Sequence, residues 1–476
     1  MSLNRRPPFG YTLLMLALSL WACTWVSYAL TDGDSALFAA IGRDMAVEGG
    51  ERWWVTQWAF QGEVAWFVEH PPGAFWPNAV LQKLGFCETS APLLANALWL
   101  WLLIAALWSL AGPLAVSMLV LHYPMWKYGL RAGLEIPFTA SVTLAFAAWR
   151  SSHRFAWVIL AVATAAAFFT RGVFGALIPL CLLLDLFRTS SKAPPWRKAV
   201  LAMTLAALFL LLFDFWQSRI SGRSFWLAYL QKQVFPSLET GGTPHGNRGS
   251  TLLYYGGRLL LYSFPWWALA LWGNLKKKAS DPDAIRLACF WLLVLFLAVI
   301  VPRRQGSRYL FAAFPAVAWL AAMPWTGAWE TRKPMYWKVA TLLALTAPLL
   351  MILGKGILSK QDAWQISAVQ WRQFRHQNPG TEPIFGDFAP HDDRSKQFIR
   401  FHSGRWALRR GRPQAGLWYQ PLERPQAWAE GEWKGTRLWL TDLGALWRLE
   451  PLQDGRLHLP DAKAPETPPD PSGERR

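Results

Sequence analysis

Long apolar runs alternate with short polar loops through the first three quarters of the chain. Runs able to cross a bilayer recur at 11–30, 92–110, 113–124, 136–149, 155–169, 173–187, 198–213, 252–272, 286–301, 309–323 and 338–354. Several fall short of the ~20 residues that a perpendicular span needs, so the pattern predicts about eleven crossing helices of unequal length. After the last run the chain turns polar, with a helix-like stretch over 361–377, strand-like runs "PIFG" and "RLWLTD", and a Pro-rich end. The expected architecture is mainly α: a polytopic membrane domain over 1–355, a small α/β external domain over 356–460 and a disordered tail over 461–476. Within the first, residues 31–91 form an external loop of juxtamembrane helices. No repeat of about 20–50 residues is evident.

Charge fixes the expected sidedness. When the spans alternate, "RSSHR" (150–154), "RTSSKAPPWRK" (188–198), "NLKKKASDPDAIR" (274–286) and "ETRKPMYWK" (330–338) fall on the side of the basic N-terminus. Such loops are cytoplasmic by the positive-inside trend. The other face then holds 31–91, Glu135, Arg171, 214–251, the stretch "VPRRQGSRY" and everything after about 355. Arg303, Arg304 and Arg308 of that stretch run against the trend. Either a span is miscounted or something anionic sits at the outer face, and Arg171 in "FFTRGVFG", at another outer junction, favours the second.

Composition sharpens this. The chain is 53% hydrophobic and 16% charged, and its 48 Lys and Arg against 30 Asp and Glu give a net +18, which suits anionic lipid or phosphate-bearing ligands without indicating nucleic acid. The 32 Trp, many near span ends, predict an aromatic belt. Four Cys at unrelated positions predict neither a disulfide framework nor a zinc site. The run 11–30 follows Arg5 and Arg6 without a clear small-residue cleavage site, so it reads as a retained anchor, a removed signal peptide being the alternative.

The outer face carries the candidate chemistry. From Asp34 onward Leu37, Phe38, Ile41 and Met45 share one helical face, which predicts a short amphipathic helix on the membrane surface. Asp32 or Asp34 would cap it. His70 precedes Pro71 and Pro72 where the loop returns to the membrane, and on its own is a polar loop residue. Glu135 stands at the mouth of an apolar run beside Arg131, either as a surface ion pair or as part of a constellation with the outer arginines.

The stretch "DGDSALFAAIGRDMAVEGGERWWV" followed by "EHPPGAFW" resembles the first external loop of polytopic glycosyltransferases that use lipid-linked sugars, the superfamily of protein O-mannosyltransferases and the lipid A aminoarabinose transferase. The resemblance continues through "LEIPFTASVTLAFA", "FFTRGVFGALIPL", "HGNRGSTLLYYGGRLLLYSFPWW" and "RYLFAAFPAVAWL", most of residues 11–323. It implies a GT-C fold, with Asp34, Glu135 and His70 as catalytic residues and Arg171, Arg303, Arg304, Arg308, Tyr309 and His245 as substrate-binding residues. Two departures stand out: Ser35 where a second acid is usual, and no Arg in "SAPLLANAL". The implied reaction moves a sugar from a polyprenyl-phosphate donor to a lipid, glycan or protein hydroxyl. Arginines steady the leaving phosphate, and a partly desolvated carboxylate, Asp34, takes the acceptor's proton. Two carboxylates and a His are compatible with a divalent cation without establishing one. The implied location is a bacterial inner membrane, multi-pass, with the N-terminus cytoplasmic and the site and C-terminal domain periplasmic. The rival reading is a transporter or flippase of lipid-linked precursors, which would carry its ionisable residues nearer mid-span. A third is an inactive scaffold whose Trp-rich region 406–447 is the working part.

Overall fold

The computed structural model describes residues 33–60, 63–127, 131–187, 196–238, 248–276, 281–302, 306–325, 363–380, 382–386, 393–405, 407–409, 416–421, 433–441 and 443–451. Arg303, Arg304, His245, Asp32, the runs 11–30 and 338–354 and the tail 461–476 lie outside the described residues. The chain divides into two compact units, a helical one holding Asp34–Trp58 and Ala65–Lys360 and an α/β one holding Ala59–Val64 and Gln361–Arg476 together with Thr31–Gly33.

The first elements are α1 (Gly33–Glu48), a hairpin of β1 (Gln57–Phe60) and β2 (Glu63–Trp66), and α2 (Trp76–Lys83). Helix α1 begins where the sequence predicts, but it is buried nearly all round instead of resting one face on a membrane surface. Leu37, Ile41 and Met45 pack on Phe67, Phe75, Ala79 and Leu134. Its other face is built of small residues, Ala36, Ala39, Ala40 and Gly42. A Cβ at Gly42 would stand 2.1 Å from the Asn78 amide of α2, so glycine permits the close approach. The Asn78 amide donates to the carbonyls of Phe38 and Ala39, each at 3.4 Å.

The long helices follow: α3 (Ala91–Val120), α4 (Glu135–Arg150), α5 (Ala156–Arg171), α6 (Leu177–Leu186) and α7 (Trp196–Ser221). Helix α3 breaks at Gly112, whose φ is 81°, just before Pro113, the same point at which the sequence pattern divides into two runs. Helix α4 is the central rod, buried along almost its whole length and about 24 Å long by the standard rise. An acid opens its first turn and Arg150 closes its last, the arrangement that a helix dipole favours.

Two polar clusters mark the ends of α4. At its C-terminal end Trp149 Nε1 donates to Asp185 at 3.0 Å, and Arg286 donates to the same carboxylate at 3.1 and 3.0 Å. Lys198 Nζ donates to the carbonyls of Ala148, Trp149 and Ser151, closing the helix end. At the N-terminal end Glu135 pairs with Arg171. So α5 runs antiparallel to α4, and α6 brings Asp185 back to the end that α5 left. The turn between them is Gly172, at φ 56°. Among the described residues four helices are long and apolar enough to cross a bilayer, Ala91–Val120, Ala156–Leu186, Trp196–Ser221 and Pro282–Ile300, and this hairpin makes the second of them two shorter passes.

After a short α8 (Phe225–Tyr229) and a π-helical turn, Leu230–Val234, come α9 (Arg248–Ser263), α10 (Trp266–Lys276), α11 (Pro282–Ile300) and α12 (Phe314–Ala322). The sequence reads 252–272 as one span, yet it divides at Phe264 and Pro265 because proline cannot continue the helix. In α9 Thr251, Tyr255 and Tyr262 face inward while Leu252, Leu253, Leu260 and Leu261 are exposed. Arg258 lies between the rings of Tyr254 and Tyr262, 5.5 and 5.6 Å away, and donates to the Tyr262 hydroxyl at 3.0 Å. The Trp residues split: Trp196, Trp216 and Trp272 are exposed as a belt requires, whereas Trp54, Trp76 and Trp226 pack with Phe213 and Phe225 in an aromatic core.

In the second unit α13 (Ala363–Gln377) and α14 (Asp393–Ser403) accompany a sheet of β3 (Ile384–Gly386), β4 (Ala407–Arg409), β5 (Gly416–Pro421), β6 (Trp433–Thr441) and β7 (Gly444–Pro451). Its order is β4-β3-β5-β7-β6, parallel on one side of β5 and antiparallel on the other. Trp371 of α13 is fully buried against Phe374 and Tyr419.

Candidate active site

Residues from five separate stretches meet at the Glu135 end of α4. Asp34, in the first turn of α1, forms an ion pair with Arg308. Glu135 forms one with Arg171 at the end of α5. The Arg171 guanidinium also lies 5.3 Å from the centre of the Tyr309 ring, and that of Arg308 lies 5.8 Å from the same ring. Tyr309 stacks in turn on Phe174, at 6.1 Å with the planes 5° apart. The order is thus acid, arginine, tyrosine, arginine, acid.

The two ion pairs differ in surroundings. Arg171 and Glu135 are 8% and 9% exposed, and Arg308 and Asp34 are 41% and 44% exposed. Arg171 Nε is buried with no hydrogen-bond partner among the described residues, so this guanidinium has donor capacity left over. His70 completes the rim, its ring set edge-on to Phe38 at 5.7 Å and tilted against Phe67 at 6.1 Å. Among the described residues no three His, Cys, Asp or Glu side chains come together as ligands for a metal ion.

Behind the rim lies a cavity of about 570 Å³. Its polar lining comprises His70, Arg171, Tyr229 and Tyr309, Arg171 touching both tyrosines, together with Glu69, Gln233 and Ser237. Most of the other lining is apolar and comes from α6 and α11, with Leu177, Leu180 and Leu184 on one side and Val294, Leu297 and Val301 on the other. Leu180, Leu184, Leu297 and Val301 are partly exposed, so the groove opens along its length to whatever surrounds the helices.

The sequence assigns Asp34, His70, Glu135, Arg171, Arg308 and Tyr309 to one face, and the structure brings the six together at the Glu135 end of α4. Glu135 takes Arg171, 36 residues away, as its partner. Tyr229 is the residue that the sequence leaves unremarked. Its hydroxyl donates to the Arg171 carbonyl at 3.5 Å, its ring stacks on Phe225 at 5.9 Å, and burial pushes its phenol up to about 12, so it stays a neutral donor. No local pattern announces this, because the contact depends on the turn at Gly172. A Cβ there would lie 2.3 Å from the Tyr229 ring and hydroxyl, in a backbone region that only glycine adopts freely. Gly172→Ala is therefore expected to destabilise the helical unit by about 1–3 kcal/mol and to displace Arg171. Thermal unfolding of the variant in detergent measures the first, and an unchanged midpoint contradicts it.

An antiparallel array of apolar helices that gathers acids and arginines at one end beside an apolar groove has the GT-C fold. Two crystal structures of ArnT from Cupriavidus metallidurans resemble it throughout. The one bound to undecaprenyl phosphate gives a TM-score of 0.69 at 15% identity, covering 93% of this chain and 98% of that one. The apo form gives 0.66 at 14%, covering 92% and 97%. The apo oligosaccharyltransferase of Archaeoglobus fulgidus gives 0.52 at 12%, covering 85% and 65%. In sequence, the chain is 24% identical over 351 residues to undecaprenyl phosphate-alpha-4-amino-4-deoxy-L-arabinose arabinosyl transferase 2 of Proteus mirabilis strain HI4320. That match takes in 67% of this chain and 60% of the relative, so it spans about three fifths of the relative's length. No family model matches the chain.

Proposed function

We propose that the chain is an integral-membrane glycosyltransferase that moves a sugar from a polyprenyl-phosphate donor to a lipid, glycan or protein acceptor at the outer face of a bacterial inner membrane. The observation that carries this is the make-up of the cavity, in which Arg171 and Tyr309, the latter with Arg308 against its ring, adjoin an apolar lining from α6 and α11. A phosphate with an isoprenoid tail has that distribution of charge and grease. ArnT of Cupriavidus metallidurans, the fold relative noted above, was crystallised with undecaprenyl phosphate.

In the reaction the acceptor oxygen bonds to the anomeric carbon as the carbon–oxygen bond to phosphate breaks. The bonding electron pair leaves with the phosphate, and the acceptor's proton passes to the Asp34 carboxylate. Arg171 and Arg308 meet the charge that grows on the departing phosphate, in a site walled by low-dielectric side chains where such contacts strengthen. Tyr309 holds both guanidinium groups against its ring. His70 faces the sugar from the rim. Arg303, Arg304 and His245, all beyond the described residues, add positive charge and donors for the same phosphate. Residues 1–355 do the chemistry, and 356–460 form a small external domain.

The two clusters at the ends of α4 support this sidedness. Lys198, Arg150 and Arg286 mark the cytoplasmic end by the positive-inside trend, which leaves the Asp34 and Arg308 end outside. Purified protein supplied with a radiolabelled polyprenyl-phosphate sugar and envelope extract is expected to label an acceptor. Movement of the intact donor across a vesicle bilayer without transfer would replace the enzyme with a flippase.

A further inference from the structure

Both acids at the rim are occupied by arginines, but the two pairs cannot respond alike to an arriving phosphate. Glu135 and Arg171 are shut away from water, and breaking such a pair strands a charge in a poor solvent for it. Asp34 and Arg308 are more than a third exposed, where solvent screens the attraction and either partner can be exchanged at small cost. Both guanidinium groups flank the Tyr309 ring, and that ring lines the cavity, so a phosphate seated there lies within one side-chain swing of Arg308.

We propose that the donor releases its own base: its phosphate draws Arg308 away from Asp34, while Arg171 stays locked to Glu135 and receives the phosphate from a fixed position. This rests on reading the groove as a polyprenyl-phosphate site. A neighbouring guanidinium favours the charged form of a carboxylate and so weakens it as an acceptor of the incoming hydroxyl's proton. Asp34 becomes the stronger base when the phosphate replaces it as the partner of Arg308. Donor must then bind before acceptor reacts, and Glu135 is a positioning residue that holds Arg171 and never meets the sugar.

The test is the affinity of the purified full chain for a polyprenyl phosphate in detergent. Because the phosphate competes with the Asp34 carboxylate for Arg308, Asp34→Asn should bind this probe about two- to fivefold more tightly than the unaltered chain, the range that an exposed pair can contribute. The gain should vanish when Arg308→Gln is added. Glu135→Gln, which frees Arg171 from its clamp, should weaken binding. A merely structural Asp34 would give unchanged or weaker binding on substitution, and that result, or a gain that survives Arg308→Gln, overturns the exchange. Equal gains from Asp34→Asn and Glu135→Gln would overturn the division into fixed and exchangeable pairs. If Asp34→Asn does not fold, Asp34→Ser, which also caps a helix, serves in its place. Failure of the unaltered chain to bind the probe overturns the reading of the groove itself, and this inference with it.

Discussion

Asp34→Asn is expected to lower sugar transfer by roughly 10²-fold or more, the range in which a positioned general base acts. The substitution keeps the side chain's size and most of its ability to cap a helix, so it separates two roles that the first turn of α1 could combine. A cap alone predicts a mild loss, because asparagine caps about as well as aspartate. A base predicts that the lost carboxylate abolishes the proton acceptor while leaving the phosphate contacts in place. The signature is lowered turnover with donor affinity retained or improved, since Arg308 is no longer shared. Initial rates on purified variants with matched thermal unfolding decide it. Near-normal turnover would leave Asp34 as a cap and require another base.

Much of this site was legible because membrane topology is written in charge. The alternation of basic loops sorts Asp34, His70, Glu135, Arg171 and Arg308 to one face without any knowledge of packing, and a hairpin turn at Arg171 follows from the same count. What the sequence could not show was pairing. Glu135 beside Arg131 left a surface pair and a constellation with the outer arginines both open, and only the antiparallel run of α4 and α5 brings Arg171 to it and buries both. Helix α1 misled for a related reason: its large residues lie on one face, which suggests an amphipathic surface helix, while its small residues are what let α2 close on the other. The run 252–272 has the composition of a span, yet Pro265 divides it in two. Trp counts likewise told of an interface belt and could not separate Trp196, which is exposed, from Trp54, which packs in a core.

The buried pair makes the other large prediction. Arg171→Ala should destabilise the helical unit by about 3–5 kcal/mol, because it leaves the Glu135 carboxylate buried and unpaired, and Glu135→Ala should cost a similar amount by stranding Arg171. Arg308→Ala breaks a pair of the same chemistry that is open to water and should cost about 1 kcal/mol or less. Denaturant or thermal unfolding in detergent compares the three directly. The double change Arg171→Met with Glu135→Gln removes both charges together, fills similar volume and should recover most of the stability, as neutral replacements of buried pairs often do. It should not recover transfer, because the fixed guanidinium that meets the phosphate is gone. Stability restored without activity marks Arg171 as kept for chemistry at a structural cost that Glu135 offsets. Equal losses for Arg171→Ala and Arg308→Ala would instead mean that burial does not distinguish the pairs, and the fixed partner would have to be sought elsewhere on the rim.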